Sequence, residues 1–310
     1  MRIVAIVCTA AIPFACGIAH AQSNRVESVR APRAAELTEF WTEQRLRDAK
    51  AMPVPMLDPG VVGAAQEPRA GKLRTAQAKA PPNARAREVT MRPHWWTGRV
   101  LFAAAEGTIM SCAADLVAPG LVLTAAHCLR DNSTGQWVAK LVFVFDYQRD
   151  SGRRIPSECF ATYHGWISQE PSRWGWDYGF VKIRGGTTIG HFGWESGWWG
   201  KQETAALVSG RPALPERPVP TGTLVKGWNE KIVGLKLKPD ASAAGLTTGL
   251  KGGGWIGRYE EAGSNPQSNV VLSVTSHQVG DDSGTSYGPY WDDEFVRLME
   301  YAKRGCQERG

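Results

Sequence analysis

The sequence predicts an all-β protein of antiparallel strands that ends in one α-helix. Short apolar segments bounded by turn residues recur between residues 99 and 275, and no helical pattern lies between them. This arrangement favours an antiparallel barrel or sandwich. The predicted strands are 99–104, 110–117, 121–124, 140–145, 179–183, 204–208, 222–227, 231–238 and 269–275. Helical periodicity is confined to residues 291–304, whose apolar face comprises Phe295, Leu298, Met299 and Ala302.

Residues 1–21 have the pattern of an export signal. Arg2 supplies a positive charge, residues 3–18 form an apolar stretch, and Ala-His-Ala at positions 19–21 provides small residues around a cleavage site. The apolar stretch is too short and too interrupted to span a membrane, and no later segment is long and apolar enough. We therefore expect a secreted or periplasmic protein that is cleaved near Ala21.

Residues 22–92 differ in composition from the rest of the chain. Residues 34–50 predict an amphipathic helix with Leu37, Phe40 and Trp41 on one face, whereas residues 52–83 are rich in Pro, Ala and Lys and favour a linker or disorder. The segment is either a propeptide or a flexible leader without a function of its own. Twelve of the 13 tryptophans lie beyond Pro93, so we expect the folded domain to cover residues 93–310.

The net charge of +6 is concentrated near the N-terminus. Residues 1–90 contain 13 basic and 8 acidic residues, whereas residues 91–310 contain 23 and 22. The expected folded domain therefore gives no reason to predict nucleic-acid binding.

Four cysteines remain once the signal has been removed: Cys112, Cys128, Cys159 and Cys306. An even number of cysteines in an oxidising compartment predicts two disulfides, and four cysteines allow three pairings. A zinc site is the alternative, but no CxxC or HxxxH spacing supports it. We therefore expect no metal and no other cofactor.

Three segments carry residues that are typical of catalysis. The apolar run Leu121-Val-Leu-Thr-Ala-Ala-His127-Cys128 predicts a buried strand that holds a histidine at its end. Trp176-Asp177-Tyr-Gly-Phe-Val-Lys-Ile183 places an aspartate at the entrance of another strand. Gly249-Leu-Lys-Gly-Gly-Gly-Trp255 is a glycine-rich loop.

The three segments follow one another in the order of the catalytic segments of the trypsin-like serine peptidases, which the chain therefore resembles. The resemblance covers about residues 95–305. Within the family, the flanking sequences are most similar to those of the bacterial glutamyl-endopeptidase-like members. The flanking sequences concerned are 132–145, His164-Gly-Trp166, Ser273-Val-Thr-Ser-His277 and Tyr287-Gly-Pro-Tyr290. The resemblance implies the chymotrypsin fold, in which two antiparallel β-barrels are followed by a C-terminal α-helix. It also implies a peptide or protein as the ligand of the cleft.

The resemblance assigns the general base to His127 and the carboxylate that orients it to Asp177. Asp131, Asp146 and Asp150 are alternatives close by in the sequence, but the Asp-Tyr-Gly-Phe-Val context favours Asp177. The family also joins the cysteine before the histidine to the one after it. This implies a Cys112–Cys128 disulfide and leaves Cys159–Cys306 as the second pair.

Ser276 and His277 lie on the strand that would pair with a bound peptide. They are interpreted either as part of the cleft wall or as part of a core strand.

The resemblance fails at the nucleophile. The family loop has the form Gly-x-Ser-Gly-Gly-Pro, and Lys251 stands at its Ser position in this chain. The backbone N–H groups of Gly249 and Lys251 remain available for an oxyanion hole. We expect a catalytically impaired pseudopeptidase that binds peptide or protein in the relict cleft. The alternative is an active serine endopeptidase whose nucleophile the sequence does not identify.

Overall fold

The computed structural model describes residues 24–79, 92–145, 154–168, 171–187, 189–209, 219–238, 251–261, 265–280 and 284–308. The predicted export signal lies outside these residues. The strands are β1 (Val26–Arg30), β2 (Lys50–Ala51), β3 (Met56–Leu57), β4 (Arg74–Ala76), β5 (Thr97–Ala103), β6 (Ile109–Ala118), β7 (Leu121–Thr124), β8 (Ala139–Phe145), β9 (Arg154–Tyr163), β10 (Gly179–Ile183), β11 (Gly193–Ser196), β12 (Thr204–Leu207), β13 (Thr221–Lys226), β14 (Ile232–Leu237), β15 (Gly254–Gly257), β16 (Val270–Val274), β17 (Gln278–Val279) and β18 (Thr285–Pro289). The α-helices are α1 (Ala34–Phe40), α2 (Glu43–Asp48), α3 (Arg92–Trp95) and α4 (Asp293–Lys303).

The first sheet closes into a six-stranded barrel. Its strands follow the order β9-β10-β7-β6-β5-β8, and pairing between β8 and β9 closes the ring. Strand β7 is covered on both faces, since its successive residues Leu121, Val122 and Leu123 are all apolar and 0% exposed. Closure leaves no free edge within the ring, and it fixes the register of the strand ends on which the site is built.

The second sheet has the order β18-β14-β13-β12-β15-β16-β11-β4. Apart from the β11–β16 pair, its strand pairs are antiparallel. The all-β prediction with a chymotrypsin-type barrel is therefore confirmed, with one closed barrel and a second sheet.

Helix α4 covers the base of the first barrel. Phe295 stacks on Trp291 with ring centroids 4.0 Å apart, and it also meets Phe180 of β10 and Trp194 of β11. The four residues predicted for its apolar face are buried. The Cys159–Cys306 disulfide ties Cys306, three residues after the end of α4, to β9.

The N-terminal segment, residues 24–79, is paired with both sheets. Strand β1 adds to β9, β2 adds to β6, and β4 adds to β11. The composition of residues 52–83 favours a linker or disorder, but within residues 52–79 neighbouring strands satisfy backbone groups at several places. Short segments with few apolar side chains can be ordered in this way because the edge of an existing sheet supplies the hydrogen bonds.

The single helix predicted over residues 34–50 is in fact two helices. Helix α1 ends at Phe40, the next residue Trp41 is 1% exposed, and its indole N–H donates to the Lys140 carbonyl at 2.6 Å. Thr42 then caps α2 by accepting the Arg45 N–H. The helical periodicity was correct, but anchoring Trp41 on the barrel and capping at Thr42 break the helix in the middle.

No helix among the described residues is long and apolar enough to cross a membrane.

Candidate active site

His127 and Asp177 meet because of the register between two barrel strands. Thr124 at the end of β7 pairs with Gly179 at the start of β10. The residues just after β7 and just before β10 therefore leave the barrel at the same edge. His127 lies on the single 3₁₀ turn Ala126–Cys128, and the Cys112–Cys128 disulfide ties that turn to β6.

The His127–Asp177 pair has the geometry of a catalytic base and its orienting carboxylate. His127 Nδ1 lies 2.7 Å from Asp177 Oδ2, and the His127 backbone N–H donates to Oδ1 at 2.9 Å. Both side chains are buried, at 6% and 0% exposure. Burial alone would raise the pKa of Asp177, but the charge interaction with His127 and the hydrogen bonds to the carboxylate outweigh it and lower that pKa.

A chain of hydrogen bonds holds Asp177 from behind. The Ser276 hydroxyl donates its proton to Asp177 Oδ2 at 2.5 Å. Because that proton is used, the hydroxyl oxygen accepts the hydrogen bond from His277 Nδ1–H, 2.9 Å away. His277 Nε2 accepts from the indole N–H of Trp228 at 3.1 Å. Since an ionised carboxylate only accepts, every proton in this chain is assigned, and His277 is the neutral Nδ1–H tautomer.

His277 is fixed in its neutral form by its surroundings. Its ring stacks on Tyr287 at a centroid distance of 5.6 Å and lies 4.6 Å from the ring centroid of Trp174. Burial lowers its pKa to about 3. Ser276 and His277, interpreted from the sequence as either cleft wall or core, are both 0% exposed; Ser276 contacts the carboxylate of Asp177, and His277 contacts Ser276.

Lys251 lies at the third corner of the site. It is 3% exposed and close enough to His127 and Asp177 to influence the titration of each. Burial lowers the pKa of its amine from 10.5 to about 7, although Asp177 acts in the opposite direction. Burial also lowers the pKa of His127, and the Lys251 charge adds to that effect while Asp177 opposes it.

The Lys251 backbone is pinned between the two sheets. Its carbonyl accepts the N–H of Ala113 in β6 at 2.7 Å. The next residue, Gly252, donates to the Thr275 carbonyl at 2.9 Å, and the Thr275 N–H donates to Gly253 in return. The Gly254 N–H donates at 2.6 Å to Asp115, a fully buried carboxylate that also accepts from a serine hydroxyl.

Position 252 requires glycine for two reasons, the backbone conformation and the lack of space for a side chain. Its φ is +79°, and a Cβ there would lie 2.2 Å from Thr124 Oγ1 and 2.7 Å from the Ala113 carbonyl. The loop therefore touches the strand that delivers His127. Of the sequence-predicted oxyanion donors, Lys251 is described here and Gly249 lies outside the described residues.

Gly252→Ala is expected to lower the free energy of unfolding by about 3 kcal/mol, of which roughly 1 kcal/mol is backbone strain and the rest overpacking. Gly107→Ala is the matched control, since Gly107 has φ +83° but nothing within 4 Å of an added Cβ. Gly107→Ala is expected to lower the free energy of unfolding by only about 1 kcal/mol. Urea unfolding of both variants measures the difference, and equal losses would show that the contact with Thr124 is unimportant.

The strand edge beyond His277 is occupied by the N-terminal segment. Strand β3 runs parallel to β17, with Met56 opposite Gln278 and Leu57 opposite Val279. The Gln278 N–H donates to the Pro55 carbonyl at 3.0 Å, and the Gly280 N–H donates to the Leu57 carbonyl at 2.9 Å. The sequence did not predict this pairing, since two-residue strands carry no periodicity.

The cysteines at the site are not metal ligands. Cys112, His127 and Cys128 place their ligand atoms within 4.8 Å of one another, but the two sulfurs are bonded to each other and provide no thiolate. The geometry of the described residues therefore gives no support to the zinc alternative at this site.

Solved structures share this architecture at low sequence identity. The protease Anisep from Arthrobacter nicotinovorans matches with a TM-score of 0.50 and 18% identity, over 76% of this chain and 100% of its own. A Glu endopeptidase solved in complex with MPD matches with a TM-score of 0.50 and 17% identity, over 74% of this chain and 97% of its own.

The chain has the chymotrypsin fold. No protein-family model and no curated protein sequence matches it. Within this chymotrypsin-fold protein, His127 and Asp177 come from the first barrel, whereas Lys251 and Ser276 come from the second sheet. Trp228 was not predicted as a site residue, because it reaches the site through His277 and lies far from any motif.

Proposed function

We propose that this protein is a secreted member of the trypsin-like serine peptidase family that binds peptide or protein in its cleft without cleaving it. One observation carries the proposal. His127 and Asp177 have the geometry of a base and its carboxylate, and His127 Nε2 is buried without a hydrogen-bond partner among the described residues, while the sequence assigns Lys251 to the position of the nucleophile.

The chemistry of acyl transfer explains why this arrangement favours binding over hydrolysis. A serine hydroxyl gives up its proton to the histidine and forms an ester that water hydrolyses. A lysine amine in its place would form an amide, which is as stable as the bond that was cut. A charged Lys251 also disfavours a second positive charge on His127, so it opposes the imidazolium that general-base catalysis requires.

An active serine endopeptidase remains the second candidate, and the intact His127–Asp177 pair favours it. Ser276 supports Asp177 as well, so the machinery behind the base is complete. The hydroxyls of Ser242, Thr247 and Thr248 precede Lys251 by three or more positions and lie outside the described residues. This candidate requires one of them, or another hydroxyl, to reach His127 Nε2.

Export to an oxidising compartment fits the two disulfides, Cys112–Cys128 and Cys159–Cys306. The proposal keeps residues 1–21 as a signal peptide that is removed near Ala21. Residues 22–92 are proposed as an N-terminal segment that stays associated with the domain at residues 93–310, because residues 24–79 pair with both sheets.

Turnover of casein by the wild type, His127→Ala and Lys251→Ser tests the proposal. The wild type and His127→Ala are expected to be equal to background. Without a nucleophile, the only rate enhancement left is the roughly 10³–10⁴-fold effect, relative to uncatalysed hydrolysis, that an oxyanion hole and substrate binding provide. Lys251→Ser is expected to exceed the wild type if the loop holds the hydroxyl against His127. Wild-type hydrolysis that His127→Ala abolishes would establish the endopeptidase instead.

A further inference from the structure

Lys251 is a largely buried lysine whose amine has no hydrogen-bond or ion-pair partner among the described residues. Its side chain makes no hydrogen bond or ion pair with any described residue, although the residue is only 3% exposed. Its backbone N–H likewise donates to none of them. Buried charges in proteins are normally paired, because an unpaired one loses its hydration without compensation.

Asp177 does not serve as that partner. Oδ1 accepts the His127 backbone N–H, and Oδ2 accepts both the His127 ring N–H and the Ser276 hydroxyl. The carboxylate therefore acts on Lys251 through space, and the ammonium keeps its three donors for another acceptor.

His127, on which the Lys251 charge acts, has a buried Nε2 with no hydrogen-bond partner among the described residues. The ammonium and the backbone N–H of Lys251 match a carboxylate, whose two oxygens accept several hydrogen bonds, whereas Nε2 of neutral His127 is an acceptor because its Nδ1–H donates to Asp177. A monoanion also matches the single positive charge. A phosphate dianion would leave one charge uncompensated beside Asp177.

We propose that Lys251 binds the C-terminal carboxylate of a peptide. The inference rests on the proposed function, and it adds the chemical class of the ligand: free chain ends, as proteolysis generates them, rather than intact chains. The terminal carboxylate is favoured over a Glu or Asp side chain, since the sequence assigns Lys251 to the position of the nucleophile, which acts on the main chain of a peptide and not on its side chains.

Calorimetry with three short peptides tests this proposal on the full chain. The peptides are acetyl-Ala-Leu as the free acid, acetyl-Ala-Leu amide, and acetyl-Ala-Glu amide, which carries only a side-chain carboxylate. The free acid is expected to bind at least about tenfold more tightly than its amide, as a charge-assisted hydrogen bond provides. Lys251→Met is expected to abolish that preference, and exposed Lys236→Met to retain it.

Each outcome decides a different point. Equal binding of acid and amide would overturn the role of Lys251 and leave the peptide-binding function standing. Preference for the Glu peptide would replace the terminal carboxylate with a side chain and overturn the proposal. Absence of binding by all three peptides would overturn both. Lys251→Gln repeats the test if Lys251→Met does not fold.

A second, independent observation concerns the edge of β17. The N–H groups of Gln278 and Gly280 are occupied by the carbonyls of Pro55 and Leu57, and β3 runs parallel to the strand. Leu57 packs on the main apolar cluster, whereas Met56 points outward and is 53% exposed. An extended segment is thus already seated on the edge that follows Ser276.

We infer that this edge is a docking surface for an extended peptide and that residues 55–57 are its built-in occupant. A longer ligand must displace them before it can pair with Gln278. Leu57→Asp is expected to release the segment, and Met56→Asp is the matched control on the outward face. The release should speed hydrogen exchange at the Gln278 and Gly280 amides at least about tenfold.

Leu57→Asp should likewise raise the affinity for an acetylated hexapeptide acid by a similar factor, while Met56→Asp leaves both readouts unchanged. Faster exchange without tighter binding would show that the edge is not the docking surface. Unchanged exchange in Leu57→Asp would show that the segment is held by other contacts, and it would overturn its role as a displaceable occupant.

Discussion

Lys251→Met is expected to raise the free energy of unfolding by about 3–5 kcal/mol at pH 7. Lys251 is largely buried, its amine has no hydrogen-bond or ion-pair partner in the part of the chain that the structure describes, and burial lowers the pKa of the amine from 10.5 to about 7. Each unit of that shift corresponds to about 1.4 kcal/mol of cost to the folded state while the unfolded chain keeps its lysine charged. Methionine has a similar length and no charge, so it removes this cost without leaving a cavity.

The pH dependence has a definite sign. Between about pH 7 and 10.5 the unfolded chain binds more protons at Lys251 than the folded chain does. The stability of the wild type therefore rises with pH in this window, and the advantage of Lys251→Met shrinks towards zero. Below about pH 7 the advantage is complete.

Urea unfolding of wild type, Lys251→Met and Lys236→Met at pH 7, 8.5 and 10 measures this effect. Lys236 lies exposed on β14, and its substitution is expected to change stability by no more than about 0.5 kcal/mol. A Lys251→Met variant that is less stable than the wild type at pH 7 would mean that the ammonium has a partner, and would contradict the description of an unpaired charge.

Asp177→Ala is expected to lower the free energy of unfolding by about 3–5 kcal/mol, because it leaves three buried donors unsatisfied and removes the negative charge that acts on Lys251 through space. The donors are the His127 backbone N–H, the His127 ring N–H and the Ser276 hydroxyl. The folded-state pKa of Asp177 is lowered below 3.8, so its stabilisation is present above that pH and is lost as the pH falls further.

Asp131→Ala is the control for this substitution, since Asp131 was an alternative to Asp177 in the sequence. Asp131 caps an exposed turn by accepting from Ser133 and Thr134, and its loss is expected to cost about 1 kcal/mol. Thermal or urea unfolding compares the two variants. Equal losses would show that Asp177 is not the anchor of the site.

The site residues of the first barrel were predictable because their signals are local. His127 and Asp177 each stand at the end of an apolar run, and a barrel strand pair brings such ends together. The register that places Thr124 opposite Gly179 is a long-range property, so the distance between the two side chains could not be read from the sequence.

Other parts of the fold left no periodic signal. Strand β9 carries Ser, Glu and Pro between its apolar residues and was not predicted, although it closes the first barrel. The pairing of β3 with β17 involves two residues of each strand, which is too short for a periodic pattern. The hydrogen-bonded link runs from Trp228 to His277, which is 49 positions away in the sequence, and from His277 to its neighbour Ser276. Only the folded chain brings Trp228 to this pair.

Labelling with a fluorophosphonate probe, followed by peptide mapping, tests the central claim most directly, because the probe reports an activated hydroxyl whatever the substrate. Our account predicts no label on the wild type, and label at position 251 of Lys251→Ser if the loop is held in an attacking geometry. A labelled Ser or Thr in the wild type that is lost in His127→Ala would contradict the account and identify the missing nucleophile.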